Sequence, residues 1–216
     1  MAAAALEKQE VEKTIFLFTR KATRTRENFG AHYINNHAPL GKRLTLGLLG
    51  YTVNLVQNKT WPDAVTEHWV RAAMDLVTPS ISYATPEDFQ KVLTDDQTLF
   101  DAFELYVVCS EKERVPGTTL DSPLGEATPE AKAIWMYADA NALPPAPSGA
   151  RRVVDNFVSH KLIYRDGVEW AKVPSDVAVF RMAWTSEPAR LPADECLIVK
   201  EYRQIPAPVP NWEAAR

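Results

Sequence analysis

The sequence predicts an α+β fold made of tandem ferredoxin-like (β-α-β-β-α-β) repeats that form an α+β barrel, with reduced helices in the second repeat. The first observation is that four short apolar segments recur in the same order. The pairs are residues 13–18 with 132–137, 53–59 with 155–161, 63–70 with 176–183, and 104–110 with 195–201. The second observation is that helical patterns separate these segments only in the first half of the chain, whereas proline-rich stretches separate them in the second.

The first repeat opens with a β-branched and aromatic run at residues 14–20, which predicts a buried strand. Thr25 then favours a helix start, and residues at helical spacing continue as far as His37. A proline disfavours the helical conformation in the residue before it, so Pro39 is expected to end this helix just after His37. A second short helical turn is expected over residues 40–48.

The rest of the first repeat is predicted to contain three strands and one helix. Strands are expected at residues 51–57, 63–70 and 104–110. The Thr85-Pro86 pair is typical of a helix start, because a capping hydroxyl is followed by proline at the first helical position. This order of elements is that of one ferredoxin-like unit.

The second repeat is predicted to lack comparable helices. Residues 138–150 contain three prolines and a glycine, a composition that does not support a helix like the one before His37. A long hairpin is expected around Asp166-Gly167, and residues 185–194 are too few and too proline-rich for a second helix.

Three segments are expected from these patterns. They are a first half over residues 13–112, a polar linker rich in proline and glycine over 113–131, and a degenerate second half over 132–205. Two sheets packed with their helix-free faces together would enclose a slot. The barrel could close within one chain or across a homodimer, and internal closure is favoured.

Composition excludes several classes of function. The chain has 216 residues, a net charge of −4 and no run of basic residues, so neither nucleic acid nor an anionic membrane surface is expected as a partner. The N-terminus has no secretory signal pattern and no apolar run spans a bilayer, which indicates a cytoplasmic protein. Cys109 and Cys196 are expected to be buried, reduced thiols.

No cofactor is expected from the motifs. The sequence lacks a glycine-rich phosphate loop, a nucleophile elbow and a CxxC pair. His32 and His37 are five residues apart and would lie out of phase on an ideal α-helix, so they do not form a metal-binding pair.

Several motifs of the first half closely resemble the EthD-like family of dimeric α+β barrel proteins. The matching segments are Arg20-Lys21, Thr25-Arg26-Glu27-Asn28-Phe29, His32-Tyr33, Asn36-His37-Ala38-Pro39-Leu40 and Tyr51-Thr52-Val53-Asn54. The resemblance covers residues 13 to about 110. It implies an α+β barrel fold and a place among small dehydratases, decarboxylases, cyclases and cofactor-free monooxygenases that act on phenolic or polyketide-like molecules.

Three residues are candidates for catalysis. His37 is expected at a helix C-terminus, where the helix dipole favours its protonated form, either as an acid-base group or as a cap of the last carbonyls. Strand alternation indicates that His68 faces the slot between the sheets, together with Asn54. Each of these polar groups would be either functional or satisfied by a structural hydrogen bond.

Six further residues are candidates for substrate binding. They are Tyr51, Arg181, Arg152, Asp155, His160 and Trp184. Arg181 aligns with His68 in the repeat and lies in an apolar strand, so it needs a carboxylate partner. That partner is either Asp155 or Glu67 of the protein, or the carboxylate of a ligand. Trp135, Tyr137, Trp170 and Trp184 could supply apolar walls.

The sequence-based hypothesis is a cofactor-independent lyase, of the decarboxylase or dehydratase type, acting on a hydrophobic aromatic or phenolic acid. Two alternatives remain open. One is a cofactor-free monooxygenase of the same superfamily, and the other is a non-catalytic protein that binds a small molecule.

Overall fold

The computed structural model describes residues 11–165, 169–187, 192 and 194–208. Nine antiparallel strands form one sheet in these residues. The strands are β1 Glu12–Arg20, β2 Gly50–Val56, β3 Ala64–Val70, β4 Phe100–Val115, β5 Ala131–Tyr137, β6 Arg152–Arg165, β7 Glu169–Val173, β8 Val179–Thr185 and β9 Leu197–Ile205. The helices are α1 Arg26–His32, α2 Ala38–Leu44, α3 Ala73–Leu76, α4 Pro79–Ser82 and α5 Pro86–Leu99.

Eight of the strands close into a barrel within the one chain. Their order is β4-β1-β3-β2-β9-β5-β8-β6, and β6 pairs with β4 to complete the circle. The remaining strand, β7, extends β6 as a hairpin outside the circle. Closure removes the exposed edges of the sheet, which would otherwise be open to pairing with other chains. The expected α+β barrel is thus confirmed, and it closes internally.

The α-helices of the described residues all belong to the first half of the chain. The predicted helix starts are confirmed, because the hydroxyl of Thr25 accepts a hydrogen bond from the Asn28 amide and that of Thr85 accepts one from the Asp88 amide. The stretch 138–150 contains only a short 3₁₀ turn at Ala140–Ala142. The tip of the predicted hairpin, residues 166–168, and most of 188–193 lie outside the described residues.

The expected helix break at Pro39 does not occur. Ala38 keeps a right-handed helical conformation (φ −63°, ψ −43°), and a π-helical turn over Tyr33–His37 joins α1 to α2. Proline lacks an amide hydrogen and its ring crowds the preceding turn, and a wider turn accommodates both effects. His37 is therefore inside a continuous helical segment and not at a helix C-terminus.

The barrel wall has two faces with different contents. An apolar cluster that includes Ile15, Val65 and Met182 fills the interior, together with several charged side chains. On the outer face of the first half, side chains such as Phe18 and Val53 pack against residues of α1 and α5. Because neighbouring residues of a strand point to opposite faces, this packing decides which side chains can meet the helices.

The two halves have the same relative strand order, β4-β1-β3-β2 and β9-β5-β8-β6. Their cross-strand pairs also correspond. Lys13 lies opposite Trp69 as Lys132 lies opposite Trp184, and Asn54 lies opposite Val65 as Asn156 lies opposite Phe180. By this register His68 corresponds to Ala183, so the predicted alignment of His68 with Arg181 is wrong by two residues.

Two smaller expectations also need correction. Strand β4 continues to Val115, into the segment predicted to be a linker. Cys109 is exposed, because the pairing of β4 with β6 skips it at an irregularity of the ladder, whereas Cys196 is buried. Both thiols are free. None of the helices in the described part of the chain is long and apolar enough to cross a membrane.

Candidate functional site

The helix-covered side of the first half brings together the polar side chains that best fit a reaction site. Tyr51 lies directly opposite His68 in the β2–β3 ladder, and Thr66 lies two residues before His68 on the same face. The prediction that His68 faces the barrel interior is wrong. Val65 and Glu67 occupy the interior, so alternation turns His68 towards the helices.

His68 is an imidazole held between aromatic rings. It stacks on Tyr51, with ring centroids 4.8 Å apart, and meets the edge of Phe16 at 5.1 Å. It is the only residue of β3 that is not fully buried. Its Nδ1 atom is buried and has no hydrogen-bond partner. Burial, together with the nearby charge of His37, lowers the pKa of His68 to about 3, so the ring is neutral at neutral pH.

Two buried phenols lie beside this imidazole. The hydroxyl of Tyr33 lies 2.8 Å from the hydroxyl of Thr66 and next to that of Tyr51. Both tyrosines are almost completely buried. Burial raises the pKa of each phenol well above its usual value, so both remain protonated at neutral pH and can donate hydrogen bonds to an oxygen atom.

His37 lies on the helix side of this group and pairs with acidic residues. Its Nδ1 atom lies 2.8 Å from Asp95 Oδ2 and 3.6 Å from Asp96 Oδ1. Its ring meets the edge of the Tyr33 ring at 4.9 Å. The nitrogen therefore pairs with carboxylates of α5 and does not cap helix carbonyls. His32 Nε2 binds the other oxygen of Asp95 at 2.7 Å, because the wide π-turn brings positions five residues apart to one side.

The two neighbouring carboxylates of α5 have different electrostatics. Burial disfavours the charged form of Asp95, but its hydrogen bonds with His37 and His32 outweigh this and hold its pKa below the usual value. Asp96 has no such pair of donors. Burial, with repulsion from Asp95, raises the pKa of Asp96 to about 6, although 40% of its side chain is accessible to water.

Three of the predicted site residues lie in or at the mouth of the barrel interior, away from His68. Asn54 donates its amide to the Val65 carbonyl and to Glu67 Oε1. Trp184 donates to Glu201 Oε2 at 3.2 Å. Arg152 binds Glu113 at 2.8 Å and lies over the Trp184 ring.

The predicted Arg181 and Asp155 form a structural ion pair on the outer face of the second half. Arg181 contacts both oxygens of Asp155, at 2.6 and 3.0 Å, and donates to the carbonyl of Pro144. Of the two partners considered for Arg181, a carboxylate of the protein and a carboxylate of a ligand, the structure shows the first. The guanidinium fastens the proline-rich stretch to the sheet and has no position near His68. His160 pairs with Ser159 at 2.8 Å and is separated from His68 by β4 and β1.

The sequence reasoning missed a group of buried charges in the barrel interior. Lys13 binds Glu67 at 2.8 Å and Glu111 at 2.6 Å, and Lys132 binds Glu67 at 2.5 Å and Glu201 at 3.1 Å. The two lysines also lie 4.6 and 4.7 Å from the ring centroids of Trp69 and Trp184. The sequence did contain a signal for this group, because Lys13 and Lys132 occupy the same first position in the two copies of the first repeated segment. The role of Asp95 was also missed. His32 and His37 would lie out of phase on an ideal α-helix, so nothing in the sequence indicated that both bind the same carboxylate.

The second half has no counterpart of the polar group around His68. By ladder register, Thr14, Tyr51 and His68 correspond to Ala133, Val153 and Ala183. All three of these apolar residues are completely buried, and Ala146 and Ala150 of the proline-rich stretch pack against them. The polar arrangement is therefore particular to the first half.

Comparison with known proteins identifies solved structures with a similar fold. No protein-family model matches the chain, and no curated protein matches it. Among solved structures, the chain is similar to an anthrone oxidase-like protein with 12% identity, coverage of 92% of this chain and 94% of that chain, and a TM-score of 0.51. Lower scores relate it to a candidate monooxygenase from Lactobacillus acidophilus NCFM (9% identity, 92% and 96% covered, TM-score 0.45). A variant of chlorite dismutase from Candidatus Nitrospira defluvii also matches (13% identity, 91% and 92% covered, TM-score 0.41). At such identities a likeness establishes fold and not reaction. The chain therefore has an α+β barrel fold.

Proposed function

We propose that the protein is a cofactor-independent lyase, of the decarboxylase or dehydratase type, acting on a hydrophobic aromatic or phenolic acid. The observation that carries the proposal is His68, a neutral imidazole with an unpartnered Nδ1 atom, stacked between aromatic rings on the helix-covered face of the first half. Its neutral Nδ1 atom, buried and without a partner, is available to accept a proton from a bound substrate. The substrate would lie on this helix-covered face, beside His68, and not in the barrel interior.

Each polar group near His68 has a place in the proposed reaction. In a dehydration, His68 would accept a proton from carbon, and the leaving hydroxyl would depart as water with a proton from His37. In a decarboxylation, the carboxylate would leave as carbon dioxide, and the ring carbon would take up a proton from His37. The phenols of Tyr33 and Tyr51 would donate hydrogen bonds to the oxygen on which negative charge develops. Asp95 would orient the His37 ring through its hydrogen bond to Nδ1.

We also infer that the chain is a member of the EthD-like family and that its halves are tandem ferredoxin-like repeats with the bounds predicted from the sequence. The motifs from Arg20 to Asn54 support the first inference. The equal strand orders and the corresponding pairs of Lys13 with Trp69 and Lys132 with Trp184 support the second.

A cofactor-free monooxygenase is the second candidate function, and the same imidazole favours it. A neutral base next to Tyr51 could ionise a phenolic substrate, and an electron-rich phenolate is the form that reacts with dioxygen. The two reactions share the first proton transfer and differ in their later steps, because only the monooxygenase reaction consumes dioxygen. Oxygen consumption therefore separates them.

The test is a screen of aromatic acids and phenols that includes 1-hydroxy-2-naphthoate and salicylate. Binding is measured by calorimetry, products by mass spectrometry, and oxygen with an electrode. Loss of carbon dioxide or water without oxygen uptake supports the lyase, and uptake of oxygen supports the monooxygenase. Binding without any product would contradict both and favour a non-catalytic binding protein.

Substitution of single histidines tests whether the reaction takes place at His68 and His37. His68→Gln and His37→Gln are each expected to lower turnover by about 100-fold or more, because general acid-base groups contribute that much. His160→Gln is the matched control, a histidine on the same sheet face but separated from His68 by two strands, and it should retain turnover. Full activity in the His68→Gln, His37→Gln double variant would exclude the proposed site.

A further inference from the structure

A row of polar side chains crosses three strands on the helix-covered face of the first half. Thr14 of β1 lies directly opposite His68 of β3, and His68 lies directly opposite Tyr51 of β2. Ile15 belongs to the interior apolar cluster and Phe16 to the outer one, so alternation turns Thr14 towards the same face as His68. Thr14 is therefore a further polar neighbour of the candidate base.

The hydroxyl of Thr14 is an unpaired polar group. Thr14 is completely buried, and its Oγ1 atom bonds to no atom of the described residues. The Nδ1 atom of His68 is buried and unpaired in the same way. A buried polar group without a partner destabilises the folded state, so such groups in native proteins commonly have a role in binding or catalysis.

The fold does not require polar groups at these two positions. By ladder register, Thr14 corresponds to Ala133 in the second half, and His68 corresponds to Ala183. Both alanines are completely buried. The equivalent strand pair thus packs without any polar side-chain atom there, which indicates that Thr14 and His68 serve a ligand and not the barrel.

The placement of the two groups suits one oxygen atom of a ligand. Directly opposite residues of an antiparallel pair have Cβ atoms about 4.5–5.5 Å apart. Thr14 and His68 do not bond to each other, so an oxygen atom that bridges them would satisfy both. A hydroxyl matches the pair best, because it donates to the acceptor nitrogen of a neutral imidazole and also accepts from the threonine hydroxyl. An ionised carboxylate only accepts.

We propose that Thr14 is a specificity-determining residue, whose hydroxyl acts with His68 to bind a free hydroxyl group of the substrate. This inference rests on the proposed function and narrows its substrates to aromatic acids that carry a phenolic hydroxyl. That hydroxyl would donate to His68 Nδ1 and accept from Thr14 Oγ1. His68 is the residue of β3 that keeps some exposure, so its ring is the part of the pair that a ligand meets first.

The experiment compares aromatic acids that differ only in the hydroxyl. The pairs are 4-hydroxybenzoate with benzoate and 6-hydroxy-2-naphthoate with 2-naphthoate, in which the hydroxyl is too far from the carboxylate to bond to it. Calorimetry gives the dissociation constants for wild type, Thr14→Val and Thr14→Ser. In at least one pair, wild type should bind the hydroxylated acid about tenfold more tightly. Thr14→Val should reduce that ratio to about threefold or less, and Thr14→Ser should keep it.

A matched control is available on the other face of the sheet. Thr52 is a buried threonine of β2 that lies opposite the interior residue Glu67. Thr52→Val makes the same chemical change as Thr14→Val but away from His68. It should leave the ratio of dissociation constants unchanged.

Stability separates ligand binding from a structural role. Valine has nearly the shape of threonine but no hydroxyl, so Thr14→Val removes an unpaired buried polar group. The melting temperature of the free protein should therefore stay the same or rise. A lower melting temperature with an unchanged ratio would assign the hydroxyl to the packing of the free protein and overturn the inference.

The other outcomes also decide the inference. An unchanged ratio in folded Thr14→Val overturns it, as does a wild type that shows no hydroxyl preference or binds none of the four acids. If Thr14→Val does not fold, Thr14→Ala takes its place in the comparison with Thr14→Ser. A hydroxyl preference that depends on Thr14, without any turnover, supports the inference and contradicts the lyase. Turnover with a preference that does not depend on Thr14 does the reverse.

Discussion

At the scale of single residues, the surroundings decide which polar groups can react. His68 and His37 differ in this respect although both are histidines near aromatic rings. His68 has an unpartnered nitrogen, whereas His37 is fixed by Asp95 at 2.8 Å. The carboxylates of α5 show the same principle. Asp95 accepts from two histidines, and Asp96 lies beside it without equivalent donors.

This difference predicts opposite effects for two adjacent substitutions. At pH 7.5, Asp95→Asn should lower the free energy of unfolding by about 1–3 kcal/mol, because it removes charge-assisted hydrogen bonds to His37 and His32. Asp96→Asn should raise it, because ionised Asp96 is disfavoured in the folded protein. Urea unfolding of both variants measures the signs. Equal signs for the two variants would contradict the assigned electrostatics.

The pH dependence of the Asp96 effect has a defined direction. The folded pKa of Asp96 is about 6 against a usual value of 3.8, so between these values the folded protein binds a proton that the unfolded chain has lost. Stability therefore falls as the pH rises from about 4 to 6, and the whole penalty is present above about 6. The advantage of Asp96→Asn over wild type should be largest at pH 7.5 and vanish near pH 4. An advantage that persists at pH 4 would show that the charge is not its cause.

At the scale of secondary-structure elements, local sequence signals predict where a helix begins better than where it ends. The Thr85-Pro86 signal located the start of α5, because a capping hydroxyl and a proline act through local geometry. The same local reasoning failed at Pro39. There the helix continues through a π-turn, which the packing of Tyr33 and His37 against the sheet and α5 accommodates. Tertiary contacts of this kind cannot be deduced from helix signals.

The cap of α5 gives a test at this scale. Thr85→Ala removes the acceptor for the Asp88 amide and should lower the free energy of unfolding by about 1 kcal/mol. Thr85→Ser keeps a hydroxyl and should lie within about 0.5 kcal/mol of wild type. Turnover per folded molecule should not change in either, since the cap lies at the other end of α5 from Asp95. Urea unfolding and activity at saturating substrate measure the two effects, and a similar loss of stability in both variants would mean that the hydroxyl is not the cap.

At the scale of the whole molecule, the sequence predicted the barrel and its internal closure but not the contents of its two faces. Repeated segments such as 13–18 and 132–137 gave the strands and their order. Strand alternation separates Glu67 from His68, yet it does not say which of them faces the interior. The choice depends on Lys13 and Lys132, which come from different halves and meet at Glu67 only in the closed barrel.

These interior ion pairs cross the boundary between the halves. Lys132 of β5 binds Glu67 of β3, and Lys13 of β1 binds Asn156 of β6 at 2.7 Å. Burial opposes the charge of Glu67, but the two lysines outweigh this and hold the Glu67 pKa far below its usual value. A buried charge that loses a partner is costly, whereas replacing both partners with neutral groups costs much less. The group therefore links the stability of one half to the presence of the other.

The coupling between the halves can be measured by substitution at Lys132. Lys132→Met should lower the free energy of unfolding by about 3–5 kcal/mol, because it leaves Glu67 and Glu201 with fewer buried partners. Adding Glu67→Gln to Lys132→Met should recover part of that loss, since the buried negative charge is then removed as well. Lys200→Met, at an exposed position of β9, is the control and should lie within about 0.5 kcal/mol of wild type. Urea unfolding of wild type, the two single variants Lys132→Met and Glu67→Gln, and the double variant gives the coupling energy between Lys132 and Glu67. Strictly additive effects would mean that the contact between Lys132 and Glu67 does not couple the two halves.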